Sequence, residues 1–299
     1  MSLLLTMSSD MSIHEHIGEL RSRIFHIIIS VLIITIFSMS VGIKPYVISF
    51  EGNVDSNINN NKNHGLKLLL FYPYPNPFDN IAIQLTSYMK EALLPPEVKL
   101  IQTAPGQAFF AQIYVSVLIG IIGSMPIIIK EIFGFISPAI VVDDRKHQQK
   151  KKIGIINVFL PAISLFIAGI IFSYILVIPF TLDFLYKYGQ AIGVETFLNI
   201  NDFISFVLQF FLGFGIAFEL PIVMYAIALT NIINTKFWRN SFRYAVIIFV
   251  IFGAIITPDG SGITMWFVAG PMIILYLIGI VSIERREKGG RKEEKEIKE

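Results

Sequence analysis

A carboxylate in the middle of an apolar run is the first residue with chemistry to offer. Residues 202–230, DFISFVLQFFLGFGIAFELPIVMYAIALT, are long and apolar enough to cross a bilayer as one helix. They nevertheless contain Glu219, set between Phe218 and Leu220 and followed by Pro221. A charged group at the centre of a span costs about 2.5–3.5 kcal/mol on insertion scales, so Glu219 is expected to face the bundle interior or a wet cavity. The plainer alternative is a buried, protonated or paired glutamate that only holds helices together. A second set of acids lies outside the apolar runs: Glu19 before the first, and Asp143-Asp144-Arg145 between the second and third. Carboxylates grip a guanidinium through two parallel, charge-assisted hydrogen bonds that lysine cannot reproduce, so such a set suits a cationic ligand. The ordinary alternative is that Glu19 pairs with Arg23, and Asp144 with Arg145 or Lys146, because surface charges are usually solvated or weakly paired.

The elements that must position these acids are membrane helices. Of 299 residues, 54% are hydrophobic and only 15% charged, against about 25% charged in soluble domains. There is no cysteine, which excludes disulfides, thiol catalysis and cysteine metal sites. The opening MSLLLTMSSD is too short and polar for a signal peptide, and Met7 or Met11 is an equally good start. Apolar periods predict spans at 24–43, 109–129, 153–180, 203–230, 244–256 and 263–283. Arg21 and Arg23, the basic group at 145–152, Lys236 with Arg239 and Arg243, and Arg285 onward all fall on one side of such a six-span chain. Positive residues mark that side as the cytoplasm and place both termini there. Glu19, Asp143 and Asp144 share this surface, and Glu219, on an inward-running span, lies nearer to it than to the outside.

Three regions divide the chain. Residues 1–23 hold a capping box, Ser12 to Glu15, and an apolar stripe at Ile13, Ile17, Leu20 and Ile24, which predicts a short amphipathic helix on the membrane surface. Residues 24–283 form the six-span domain, and 284–299 a charged tail. The fifth span is short: thirteen residues rise about 20 Å against a core of about 30 Å. Pro126, Pro161, Pro179, Pro221 and Pro271 lie in or at the ends of spans and bend them. Ser116, Gly120 and Ser124, like Gly213 and Ala217, form small-residue stripes that allow close helix contact. The outer loop, 44–108, begins with an Asn-rich polar stretch (51–65) expected to be mobile. Its remainder predicts a strand at 66–72 and a helix capped by Asp79, with Ile81, Leu85, Tyr88, Met89 and Leu93 on one face, ended by Pro95 and Pro96. This part is expected to pack as an outer cap. No phosphate-binding loop, HExxH or clustered metal set is present, and the basic residues serve topology, so nucleic-acid binding is not required.

Several motifs in order carry a family resemblance: HIGELRSR at 16–23, TAPGQAFF at 103–110, FGFISPAI at 133–140 followed by Asp144-Arg145, FGIAFELPIV at 214–223 and ITPD at 256–259. With them the chain resembles TatC, the multispanning core of the twin-arginine protein translocase, from about residue 13 to 283. Its Ile- and Asn-rich style and the TPDG turn suggest an archaeal member. The resemblance implies an all-α membrane protein whose six transmembrane helices form a concave wall, with cytoplasmic N and C termini and an extracytoplasmic cap. It implies a non-enzymatic receptor, without cofactor, in a multi-copy complex. Twin-arginine signal peptides of folded cargo and single-span TatA and TatB-like subunits would be its partners, and the proton motive force its drive. By motif position, Glu19, Arg21, Phe135, Asp144 and Arg145 fall at the family's signal-peptide site. Glu219 matches its intramembrane polar residue near docking partners, and Pro77 and Asp259 match outer-loop positions. The family usually has Glu at Asp144 and often an acid at Gln107, to which no charge-dependent role is given. Two other classes compete: a secondary transporter using Glu219 as a proton or ion site, and an intramembrane enzyme. The first lacks the internal repeat such proteins usually show. The second has a lone carboxylate with no nucleophile or metal.

Overall fold

The computed structural model describes residues 13–49, 67–140, 151–229, 233, 235–257 and 262–296. The chain runs α1 (Ile13–Ser40), β1 (Val41–Ser49), β2 (Lys67–Pro75), α2 (Ile81–Leu93), β3 (Lys99–Ile101), α3 (Gln107–Ile140) and α4 (Lys151–Phe172). A π-helical turn (Ser173–Val177) joins α4 to α5 (Ile178–Ala191), and β4 (Phe197–Asn199) leads into α6 (Ile200–Phe218). Then come α7 (Leu220–Leu229), α8 (Thr235–Asn240), α9 (Phe242–Ile256) and α10 (Gly262–Glu296). Among the described residues, five stretches are long and apolar enough to span a membrane: Ile17–Ser40, Gln107–Ile132, Phe159–Ala191, Ile200–Ala228 and Gly262–Arg285. Phe242–Ile256 supplies a shorter sixth, about 22 Å long against a hydrocarbon core of about 30 Å.

The centre is the fourth span. Over Ile200–Ala228, 56% of the most apolar window is buried, against 6% over Ile17–Ser40, so α6 is the core helix and α1 the peripheral one. Phe203, Phe210 and Phe214 of α6 and Phe166 of α4 are among the largest fully buried side chains. A helix apolar all round is what a bundle centre requires. The expected small-residue contacts form: a Cβ at Gly120 would lie 2.3 Å from Thr35 Oγ1 and 2.8 Å from the Val31 carbonyl, so α3 meets α1 there at backbone distance. At Gly213 a Cβ would meet Ile256 Cδ1 of α9 at 2.6 Å.

Three sequence expectations change. The amphipathic segment is not a separate surface helix; it is the first turns of α1, unbroken from Ile13 to Ser40, because no Gly or Pro punctuates the join at residues 23–24. The third span does not stop near 180. Phe159–Ala191 covers 33 residues, roughly 50 Å of helix against a bilayer core of about 30 Å, and midway along it Tyr174 stacks on Tyr88 of α2 at 6.4 Å. The fourth span is interrupted between α6 and α7. The Asn-rich stretch of the outer loop lies outside the described residues.

The rest of the outer loop packs as a cap. β1 pairs antiparallel with β2 from Val41↔Pro75 to Ser49↔Lys67, which confirms a strand where one was expected and adds its partner. Residue 80, not 79, caps α2. Asn80 is fully buried, and its side-chain oxygen accepts from the Ile83 N–H at 3.0 Å. Its Nδ2 donates to the carbonyls of Met39 (2.8 Å) and Pro77 (3.1 Å), tying the end of α1 to the start of α2. Asp79 instead accepts from the Tyr74 hydroxyl and from Gln84 Nε2. Gly42 is needed here, since a Cβ would lie 2.0 Å from the Asp79 carbonyl. A second, parallel pair, β3 with β4, is reinforced by Asn199 Nδ2, which donates to Thr103 Oγ1 at 2.8 Å and Gln107 Oε1 at 3.3 Å.

The cap carries its own titration. Desolvation first, then the hydrogen bond to Asp79, push the Tyr74 phenol up to about 12 from 10.0. The same bond, followed by that from Gln84, holds Asp79 below the usual carboxylate value. A phenol with a raised value contributes stability that is whole below pH ~10 and lost as pH climbs through ~12. A depressed carboxylate contributes above pH ~4 and loses that contribution on acidification below it. Spectrophotometric titration of Tyr74→Phe is therefore expected to lack one tyrosine ionisation near pH 12. An unchanged high-pH step, with one missing near pH 10 instead, would show that Tyr74 is not held by Asp79.

Candidate functional site

Two polar sites stand at different depths. The first lies where α1 and α3 meet, at the end of the bundle away from the cap. Glu19 and Arg23 are one turn apart on α1, and Glu131 lies near the corresponding end of α3. Arg23 Nε and Nη2 both donate to Glu19 Oε1, at 3.0 and 2.6 Å. Its Nη1 donates to Glu131 Oε2 at 2.9 Å and to the Glu131 carbonyl at 3.3 Å. The three side chains keep 25%, 24% and 14% exposure for Glu19, Arg23 and Glu131. Two carboxylates against one guanidinium leave a net negative charge in a half-desolvated place, where it acts more strongly than on an open surface. Gly134 makes room: a Cβ there would stand 2.4 Å from Arg23 Nη1. Phe135, one turn past Glu131 on α3, is half-buried. Arg21 is exposed and has no ion-pair partner among the described residues. Asp143, Asp144 and Arg145 lie outside the described residues, as does Asp259. Pro77 is exposed in the cap, where its carbonyl accepts from Asn80.

The pairing of Glu19 with Arg23, readable from their spacing of four, is present. Glu131 was not singled out by sequence reasoning. The available signal was an acid near the end of an apolar run, next to Lys130, where a charge needs a partner. Thr103, Gln107 and Asn199 were likewise invisible as a group, because 92–96 residues separate the partners.

The second site is Glu219. Pro221 has no N–H to give to the Ala217 carbonyl, so the helix cannot continue unbroken. The Glu219 N–H bonds to Ile216 at 3.1 Å, and the Glu219 carbonyl restarts the ladder by accepting from Ile222 (3.1 Å) and Val223 (2.9 Å). The side chain is half-buried, and its Oε1 is shut from solvent with no hydrogen-bond partner among the described residues. Buried polar atoms are rarely left so, and a lone one calls for an explanation. Neighbouring helices fix the break from two sides. A Cβ at Gly169 of α4 would lie 2.5 Å from the Phe214 carbonyl, and one at Gly279 of α10 would lie 2.7 Å from Met224 Sδ. Phe172 covers Phe214 and Phe218 with ring separations of 5.6 and 5.4 Å. Among the described residues, no three His, Asp or Glu side chains cluster as a metal site. The arrangement offers an acceptor in an apolar wall, not a nucleophile with a base.

Six apolar helices, a packed cap, a carboxylate at a helix break and an ion-pair cluster at one helix–helix seam define a multi-pass membrane protein. The family model described as Sec-independent protein translocase protein (TatC) matches residues 15–271. A TatC of the same description from Cenarchaeum symbiosum is 44% identical over 280 residues, covering 94% of this chain and 97% of the relative. One from Aquifex aeolicus is 35% identical over 195 residues, 64% and 78% of the two chains. A solved structure described as the twin arginine translocase receptor TatC superposes with a TM-score of 0.68 at 28% identity, covering 90% of this chain and 98% of that one. The chain belongs to the TatC family and is a component of a Sec-independent, twin-arginine protein translocase.

The packing around Glu219 gives a contrast to measure. Gly169→Ala forces a methyl against main chain, which cannot yield, and is expected to cost about 1–3 kcal/mol, the range for overpacking. Gly279→Ala meets the flexible end of Met224 first and is expected to cost less than Gly169→Ala. Thermal unfolding of both variants in detergent checks the order; equal losses would show that α4 does not approach α6 as closely as the structure has it.

Proposed function

We propose that this chain is the signal-peptide receptor of its translocase. It takes the arginine pair of a signal peptide at the Glu19 end of the bundle, and it exports folded cargo across the cytoplasmic membrane. Single-span TatA-type and TatB-like subunits assemble with it in several copies, and the proton motive force drives the transport. The observation that carries this is the excess of carboxylate at the α1–α3 seam: Glu19 and Glu131 face one another across a single guanidinium. The distribution of Lys and Arg assigns that end to the cytoplasm, with both termini there. Arg21, Phe135, Asp144 and Arg145 complete the recognition surface by motif position, Phe135 by meeting the apolar part of the peptide. Glu219 is the inner station, where an unpartnered acceptor receives a polar group of a docking helix. Pro77 and Asp259, matched by motif position, act in the outer loops.

Binding of a twin-arginine peptide to the purified, solubilised protein tests the reading. Replacing both arginines by lysine is expected to weaken binding about ten- to a hundredfold, the worth of one lost charge-assisted hydrogen-bond pair. Glu19→Gln and Asp144→Asn are expected to weaken arginine-peptide binding to a similar degree. Equal binding of both peptides would remove the receptor role. It would leave the interrupted helix at Glu219, which also fits a proton or ion path, as the better guide to function.

Glu219 separates binding from transport. Glu219→Ala is expected to keep the preference for arginine over lysine while abolishing export of a folded reporter. A loss of peptide binding as large as that of Glu19→Gln would contradict this division.

A further inference from the structure

We propose that Arg23 is an internal occupant of the arginine site and that Glu131 is the station to which it withdraws when a ligand arginine arrives. This rests on the receptor reading above and adds to it a regulatory contact inside the chain.

The geometry has three parts. Arg23 holds Glu19 in a lopsided way: Nε and Nη2 both donate to the same oxygen, Oε1. The second oxygen of Glu19 has no partner among the described residues. A guanidinium presented end-on takes both oxygens of a carboxylate through two parallel bonds, which is the stronger arrangement. The resident pair is therefore closed but beatable by an incoming arginine. A lysine, with one compact ammonium and no fork, has no such advantage over it.

Displacement alone would strand a half-buried cation, which is costly. Glu131 removes that obstacle. It already accepts from Nη1 through Oε2 and through its main-chain carbonyl. It is the less exposed of the two acids, at 14%. It also faces His26, whose Nδ1 lies 3.5 Å from Oε1. Gly134 leaves room for the guanidinium where it already lies against α3, since a Cβ there would stand 2.4 Å from Nη1. Arg23 thus shifts from a shared position to one on Glu131 without leaving carboxylate contact, and Glu19 becomes free for the ligand. In the absence of ligand, Arg23 screens Glu19 from stray lysines and from other cations.

Four variants and one peptide pair test this, read as dissociation constants for the arginine and lysine peptides. Glu131→Gln leaves Arg23 dependent on Glu19 and is expected to weaken arginine-peptide binding about tenfold. Arg23→Gln removes the competitor and is expected to bind the arginine peptide at least as tightly as the parent, with a smaller ratio between arginine and lysine peptides. The double variant Arg23→Gln with Glu131→Gln is expected to recover the affinity of Arg23→Gln alone. Gly134→Ala pushes a methyl against Nη1, the nitrogen that Glu131 holds, and is expected to lower arginine-peptide affinity as Glu131→Gln does. Arg23→Gln that loses binding as fully as Glu19→Gln overturns the proposal, since Arg23 would then be part of the binding surface. Glu131→Gln with unchanged affinity also overturns it. Absence of any arginine preference in the parent protein is a different result and overturns the receptor reading itself.

Discussion

Every backbone polar group along a membrane span has to find its partner inside the chain, because hydrocarbon offers none. Most of this structure stems from that constraint and from the places where proline breaks it. Pro179 cannot bond the carbonyl one turn before it, and the helix widens just ahead of it into the π-helical turn Ser173–Val177, closed by the Ile178 N–H on the Ser173 carbonyl. Pro221 does the same to the fourth span, and there the ladder stops and restarts within two residues around Glu219. Both breaks are sealed by close neighbours: aromatic rings of Phe172, Tyr174 and Phe211 at the first, and Gly169 and Gly279 at the second. A break in an unpacked helix would let lipid meet bare carbonyls; here the bundle closes over it.

The same constraint decides where charge is allowed. Helix α3 packs against α1 on one flank and α6 on another, so it stands between the two polar sites. The guanidinium of Arg23 sits at the α1–α3 seam, where each long side chain keeps roughly a quarter of its surface in contact with water or less. Glu219 lies further along, within apolar walls, with no cation beside it among the described residues. In the proposed receptor this spacing separates recognition from docking: a charged motif is read at the wetter end, and a polar group of a docking helix is read inside.

The cap solves a related problem at the other end. Helix α1 finishes at Ser40 and the chain turns straight into a strand, so the last carbonyls of α1 need partners. Asn80 supplies one of them, at Met39, while its oxygen starts α2. One buried amide thereby joins three segments. The interlock of Asp79, Tyr74 and Gln84 fixes the strand pair over it, and Asn199 ties the second outer connection to the start of α3. Tyr174, midway along the third span, stacks on Tyr88 of α2 and joins that span to this layer.

Much of this architecture is legible in the chain itself. The six apolar stretches, the short fifth span, a strand at 66–72, the α2 stop before Pro95, and the bend at Pro221 all come from local properties: hydropathy over a window, proline's missing N–H, and turn chemistry. So does the pairing of Glu19 with Arg23, which needs only one helical turn. The motifs at 16–23 and 214–223 likewise carry the family. The features that the chain alone does not show depend on contacts between distant segments. Asp79 and Asn80 are equally good caps by residue type, yet Asn80 takes the role, and its Nδ2 also reaches the Met39 carbonyl. Glu131 looks like one more charge at a span end until α1 and α3 pack and bring it onto Arg23, 108 positions away. Residue types and periods determined the elements. Only the tertiary structure decided which polar atoms share a partner, because hydrogen bonds and ion pairs act over a few ångströms and such distances between remote residues exist only once the helices are packed.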